Sequence, residues 1–288
     1  MIDLHSHTNE SDGSCTPLEL VDHALAMGLE ALAISDHDTF AGYDQAVEPA
    51  RAYGLDLVCG IELSTQTVGE RRRTVHVLAY FLHESPPAKF RGWVSGLLAS
   101  RRERNVRLAA KLQSMGVPIE LSEVERIGRT LTGRPHFARV LIQKGYAKDY
   151  DDAFRRYFGE AAPAYVERHG PKIGEAAEQV AAAGGLAVIA HPIRLGVRDP
   201  AAEEALIREL RDAGIPGIEV YHSDHNPVDV ERYAAIAKKY GMAVTGGSDF
   251  HGDAKPDIEL GRGRRGNLDI PKSVLDALRN GNRPARTC

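Results

Sequence analysis

Three cysteines in 288 residues, Cys15, Cys59 and Cys288, include no Cys-x-x-Cys pair and leave one over if two combine. That count excludes a disulfide framework and a thiolate zinc site, and it suits a reducing compartment, so a cytoplasmic location is expected. No apolar run approaches the roughly 20 residues of a membrane span, and Met1-Ile2-Asp3-Leu4 leads directly into a first strand. Neither membrane association nor a cleavable leader is expected. A basic excess is also missing: 36 Lys and Arg against 40 Asp and Glu give a net charge of -4. This argues against holding duplex DNA along an extended basic face. Aromatic residues are sparse, at 6% with one tryptophan, yet the 43% hydrophobic share is ordinary for a chain that buries a full core. Nothing in the composition calls for an obligate protein partner.

What the chain does have is histidine in a recurring place. Six of its 12 histidines, with three acids, lie at or near the ends of short apolar runs that read as β-strands. They are His5 and His7 in Asp3-Leu4-His5-Ser6-His7, Asp12 soon after, His37 in Ser35-Asp36-His37-Asp38, Glu62 in Gly60-Ile61-Glu62, His76, His191 in Ala190-His191-Pro192, and Asp249 with His251 in Ser248-Asp249-Phe250-His251. One such histidine alone would read as a core or surface residue, and one Ser-Asp pair as a turn. Imidazoles and carboxylates delivered together to one rim are the donor set of hard-to-borderline divalent ions, and the chain reads as a metallohydrolase.

The element order places that rim. Strands are expected at 1–4, 31–34, 56–59, 74–80, 186–190, 217–220 and 243–245, with helices between most of them. Thr16, Pro17 and Glu19 mark one helix start and Gly28 its stop, and glycines 54, 184, 214 and 241 close later helices. Parallel β/α repetition with functional residues at strand carboxyl ends predicts a distorted (β/α)7 TIM-like barrel over 1–83 and 170–288. Residues 84–169 look wholly helical, with a long helix over 90–115 and a capping box at Ser122 and Glu125, and are expected to form a lid or substrate-gripping insertion.

The set His5-x-His7, Asp12-Gly13, Ser35-Asp36-His37-Asp38, Gly60-Ile61-Glu62, His76, His191-Pro192 and Ser248-Asp249-Phe250-His251 resembles the polymerase and histidinol phosphatase (PHP) family, outside the insertion. The resemblance implies a distorted seven-stranded barrel with three divalent ions, manganese foremost and zinc or iron as alternatives. It implies that His5, His7, Glu62 and Asp249 hold the first ion, that Glu62 bridges to a second on His76 and His191, and that Asp12, His37 and His251 hold the third. Water made acidic by the ions would then be the nucleophile, with Glu62 and Asp249 the carboxylates on which turnover depends.

Among stand-alone members, a barrel with a helical insertion after the fourth strand is most similar to the 3',5'-nucleoside bisphosphate phosphatases, which convert pAp to AMP. Related members trim short 5'-phosphorylated RNA. The expected partner is therefore a small phosphorylated nucleotide or a short RNA. Histidinol phosphate phosphatase is the alternative within the family. In another class, an amidohydrolase acting on amides or lactones shares the His-x-His opening, but it uses a carboxylated lysine where Glu62 stands. A non-catalytic PHP scaffold would have lost ligands that this chain keeps.

Basic and polar residues supply candidates for holding the substrate. Arg101 and Arg104 share one face of the long insertion helix, and Arg134 in Gly133-Arg134-Pro135-His136 sits beside a helix N-terminus suited to phosphate. On the barrel, Ser35 precedes His37 and Arg194 follows His191-Pro192. His222 stands at the end of the sixth strand, where it could bind phosphate or protonate the leaving group. Arg71 to Arg73 reads as a solvated hairpin tip, Glu219 as a barrel-interior acid, and Gly261-Arg262-Gly263-Arg264-Arg265-Gly266 as a loop.

Overall fold

Thr16 starts the first helix by closing a capping box. Its side chain accepts the Glu19 amide, the Glu19 carboxylate accepts the Thr16 amide, and Pro17 takes the first helical position. The computed structural model describes residues 1–67, 74–159, 161–167 and 170–281. In chain order the barrel unit contains β1 (Ile2–Ser6), α1 (Pro17–Ala26), β2 (Ala31–Ile34), α2 (Ala41–Ala52), β3 (Asp56–Gln66) and β4 (Thr74–Phe81). The insertion carries α3 (Ala88–Ser114), α4 (Leu121–Gly128), α5 (Arg134–Gln143) and α6 (Tyr150–Ala153), which runs into a π-helical turn, Phe154–Phe158. The barrel resumes with α7 (Ile173–Ala182), β5 (Leu186–Ile189), α8 (Pro200–Asp212), β6 (Gly217–His222), α9 (Pro227–Tyr240) and β7 (Ala243–Gly247). A hairpin of β8 (Ile258–Glu259) and β9 (Gly263–Arg264) and a last helix α10 (Ser273–Gly281) complete it.

The seven strands lie in sequence order, β1 to β7. The cylinder closes where the chain leaving β7 meets β1: the Asp249 amide donates to the His5 carbonyl at 2.8 Å and the His7 amide to the Phe250 carbonyl at 2.9 Å. Closure at this point requires Gly247, because a Cβ there would lie 2.3 Å from the His5 backbone nitrogen. Buried Asp3 pins the seam, accepting from the Ser248 amide and hydroxyl and from the Gly261 amide. Inside, Tyr80 is fully buried among Leu4, Val58, Leu78 and Val188, and its hydroxyl donates to the Leu4 carbonyl at 2.7 Å.

The expected parallel repetition breaks at β4, which pairs antiparallel with both β3 and β5. Only seven residues separate the end of β3 from the start of β4, fewer than a parallel crossover needs, so the chain returns antiparallel. Arg71 to Arg73 lie outside the described residues. The pairing with β4 also carries β3 on to Gln66, well past the Cys59 end read from sequence.

The second compact unit spans Trp93–Gly170, later than the expected start at 84. The first turns of α3 go with the barrel because the Phe90 ring packs 5.2 Å from Phe81 and 6.2 Å from Phe40. Leu112, Ile119, Val124, Phe137, Leu141 and Phe158 form the insertion's own core. Helix α4 begins two residues earlier than the Ser122 cap implied. Glu120 and Glu123 make the capping box, while Glu125 is taken by Arg102 at 2.8 Å. Among the described residues, no helix is long and apolar enough to cross a membrane.

Candidate metal centre

Glu62 is 1% exposed and divides its carboxylate between two sets of imidazoles. Oε2 lies 3.2 Å from His5 Nε2, 3.1 Å from His7 Nε2 and 3.4 Å from His37 Nδ1. Oε1 lies 2.8 Å from His76 Nδ1 and 2.9 Å from His191 Nε2. Asp249 Oδ1 faces His5 Nε2 at 3.5 Å, His7 Nε2 at 3.4 Å and His251 Nδ1 at 3.5 Å. Asp12 meets His37 at 3.6 Å and His251 at 3.4 Å. All nine residues singled out in the sequence thus occupy one connected cluster.

The β4 reversal explains how His76 joins it. Strands β1, β2, β5 and β7 deliver their cluster residues at or just past their carboxyl ends and Glu62 lies within the lengthened β3, whereas His76 is near the start of β4, opposite Ser64 of β3. An antiparallel strand begins at the rim where its neighbours end. Two ligands and a neighbour also hold left-handed backbones, with φ of 28° at His191, 56° at Asp249 and 51° at Asp38. Non-glycine residues persist there only when the surroundings enforce it. Here the Glu219 carboxylate accepts the His191 amide at 2.6 Å, the His5 carbonyl that of Asp249 at 2.8 Å, and the Glu62 carbonyl that of Asp38 at 3.1 Å.

The spacing suits shared cations. Ligand atoms about 2.1 Å from one ion and 90–110° apart lie about 3.0–3.4 Å from each other, close to the contacts above. The buried nitrogens His7 Nε2, His37 Nδ1 and His76 Nδ1 have no hydrogen-bond partner, as donors waiting for a metal would. Three sets could each hold an ion: His5, His7, Glu62 and Asp249; His7, Asp12, His37 and His251; and His37, Glu62 and His76. His5, Glu219 and His222 also gather. Glu219, read from sequence only as an interior acid, accepts from His5 Nδ1 at 2.8 Å and so turns Nε2 toward the cluster.

Charge is strongly redistributed. Burial opposes an imidazolium at His5, yet Glu219, Glu62 and Asp249 hold its pKa well above the ordinary value. Burial likewise opposes charge on His7, but the Asp249 and Glu62 carboxylates beside it raise its pKa to about 9. At His37 and His191 burial prevails and lowers both to about 4. Burial would raise Glu62, Asp249 and Asp12, but the imidazoles around them hold all three well below the usual carboxylate range.

The substrate candidates divide. Arg194 lies at the metal ligands, donating to Asp249 Oδ2 at 2.8 Å and to Asp224 at 2.9 and 2.5 Å, and it lines a cleft of about 160 Å³ with His76, His191 and Thr74. His222 is fully buried, with Nε2 3.6 Å from Asp249 Oδ2. Ser35 departs from expectation: its hydroxyl donates to the Ser6 carbonyl and accepts the Ser6 amide, so it serves the β1–β2 seam. In the insertion, Arg101 lines a cleft of about 370 Å³ with Arg102, Asn105, Arg129 and Thr132. Asn105 Oδ1 and Thr132 Oγ1 are buried without hydrogen-bond partners. Arg104 is only 3% exposed, a buried residue and not one presented on a helix face. Arg134 donates to the Phe158 carbonyl at 3.2 Å and lies over the Phe154 ring, bracing the π-helical turn. Sequence reasoning missed Lys255, whose Nζ is 2.6 Å from Asp249 Oδ2, and the link Arg264–Asp224–Arg194. Neither leaves a local pattern; each depends on loops meeting in space.

Residues 3–150 match the family model described as PHP domain. The chain is 34% identical over 273 residues to a 5'-3' exoribonuclease of Haemophilus influenzae, covering 95% of this chain and 96% of that protein. It is 33% identical to a 3',5'-nucleoside bisphosphate phosphatase of Chromobacterium violaceum, with 90% of each chain covered. A solved structure from Bifidobacterium adolescentis, described as a metal-dependent phosphoesterase, superposes with a TM-score of 0.78 at 31% identity, covering 99% of this chain and 97% of that one.

Proposed function

The chain belongs to the PHP-domain family, and from that membership we propose that it is a phosphomonoesterase removing the 3'-phosphate of 3',5'-nucleoside bisphosphates, pAp to AMP. One observation carries the reading: a single buried carboxylate, Glu62, offers one oxygen to His5, His7 and His37 and the other to His76 and His191. A bridging carboxylate within an imidazole-rich set suits a multi-ion centre whose net positive charge admits an anionic substrate. The proposal includes three ions, with manganese the occupant that oxygen and imidazole donors accept. Bound ions would supply acidified water and charge neutralisation at phosphorus.

The chain's own residues do the rest. Glu219 orients His5, and Arg194 meets the phosphate beside Asp249. His222 keeps a proton on Nε2, on the side facing Asp249 and available to the phosphate, because its Nδ1 accepts the Asp224 amide. The insertion is assigned the second phosphate, through Arg101 and Arg134.

The similarity to a 5'-3' exoribonuclease over nearly the full length of both chains favours short 5'-phosphorylated RNA as a second substrate. The same reading places the enzyme in the cytoplasm. A phosphate-release screen of manganese-loaded protein against pAp, histidinol phosphate, 5'-AMP and short 5'-phosphorylated RNA tests the proposal. Preference for histidinol phosphate, or no release from any, would reject it.

A further inference from the structure

Three donors converge on one oxygen of a carboxylate in the cluster. Arg194 Nη1 lies 2.8 Å from Asp249 Oδ2, Lys255 Nζ lies 2.6 Å from it, and His222 Nε2 lies 3.6 Å from it. The Asp224 amide donates to His222 Nδ1 at 3.0 Å, which makes Nδ1 the acceptor and puts the proton of the neutral ring on Nε2. That nitrogen is buried and has no hydrogen-bond partner. A carboxylate oxygen has two lone pairs, so three donors oversupply it. The other oxygen, Oδ1, faces His5, His7 and His251 and is not free to help.

We propose that Arg194, His222 and Lys255 form an oxyanion cradle beside the metal cluster that takes a non-bridging oxygen of the phosphate being hydrolysed, with Lys255 favouring dianionic monoesters over monoanionic diesters. The inference rests on the phosphomonoesterase reading. A phosphate oxygen seated there satisfies the surplus donor and shares two cations with Asp249.

The surroundings suit this work. Arg194 is held from behind by Asp224, which also accepts from Arg264 at 3.1 Å, and Arg264 pairs in turn with Asp257. The guanidinium is therefore aimed before any ligand arrives. Lys255 follows the short turn Gly252–Ala254, which is tied to the Asp12 loop by the Asp253 amide donating to Ser14 Oγ. Its side chain is 27% exposed, so it can reach a ligand from solvent. Near neutral pH a monoester carries about two charges and a diester one, so an added ammonium contributes more to the former.

The test is Lys255→Met in the full-length, metal-loaded protein, with inorganic phosphate binding followed by isothermal titration and metal content by elemental analysis. The expected result is phosphate affinity weaker by about ten- to a hundredfold at unchanged metal content. The ratio of monoester to diester kcat/KM should fall, and Lys255→Arg should recover most of both losses. Unchanged phosphate affinity overturns the proposal. Loss of metal together with phosphate overturns it too, because Lys255 would then serve Asp249 alone. Phosphate binding is read without turnover, so the two readings fail separately. Wild-type protein that binds phosphate through Lys255 but hydrolyses no monoester defeats the functional reading, and an active enzyme indifferent to Lys255 defeats the cradle.

Discussion

His5 Nδ1 and Glu219 Oε1 lie 2.8 Å apart inside the barrel, joined across 214 residues of chain. The contact settles the ring's orientation, leaving Nε2 between Glu62 and Asp249. The second Glu219 oxygen holds the amide of His191 at a backbone angle the residue would otherwise avoid. One buried acid therefore aims two ligands on different strands.

Glu219→Gln is expected to keep the fold, since the amide is nearly isosteric, and to weaken metal affinity by about ten- to a hundredfold. Competition against a chelator of known affinity measures this. Unaltered affinity would reduce Glu219 to a packing residue.

The cluster should load close to three divalent ions per chain, as elemental analysis after expression with manganese would show. Glu62→Gln and Asp249→Asn should each lower turnover by several orders of magnitude with circular dichroism unchanged, because the group that activates water is lost and not merely substrate binding. Near wild-type rates with metal content confirmed would contradict the assignment.

Metal uptake should release protons with a defined pH dependence. His7 is near 9 and the surrounding carboxylates hold His5 above its ordinary pKa, so the ion-free centre favours the protonated form of both rings, and each proton must leave before that ring can act as a ligand. His37 and His191, near 4, are already neutral and release none. Calorimetry in buffers of different ionisation enthalpy should therefore find net proton release at pH 7.5, falling as the pH rises past 9 and His7 deprotonates beforehand. A count near zero at pH 7.5 would contradict this picture.

Arg134→Ala should lower kcat/KM for pAp by about ten- to a hundredfold while barely changing hydrolysis of p-nitrophenyl phosphate. Arg134 also braces the Phe158 carbonyl, so a thermal melt must accompany the kinetics. Equal losses on both substrates would make it structural. Hydrolysis of 3'-AMP as efficient as that of pAp would remove the case for a second anionic anchor.

Much of the centre was legible in the chain itself, because coordination chemistry limits the donor types and strand ends supply the places to put them. His5-x-His7, His191-Pro192 and Asp249-Phe250-His251 announce their role locally, as does the cap at Thr16. Seven strands were likewise visible from apolar runs punctuated by glycine. These are short-range signals, each carried by a few adjacent residues.

Tertiary structure decided whatever depends on where separate loops meet. Only the reversed path of β4 shows why His76, at the start of a strand, faces ligands at the ends of others. Only the closed barrel brings Glu219 to His5, withdraws the Ser35 hydroxyl into the β1 backbone, and gathers Arg194, His222 and Lys255 on one oxygen of Asp249. The physical reason is range. Caps, turns and strand periodicity are contests among neighbouring residues, whereas orienting partners and surplus donors arise from contacts across hundreds of residues that no local pattern encodes.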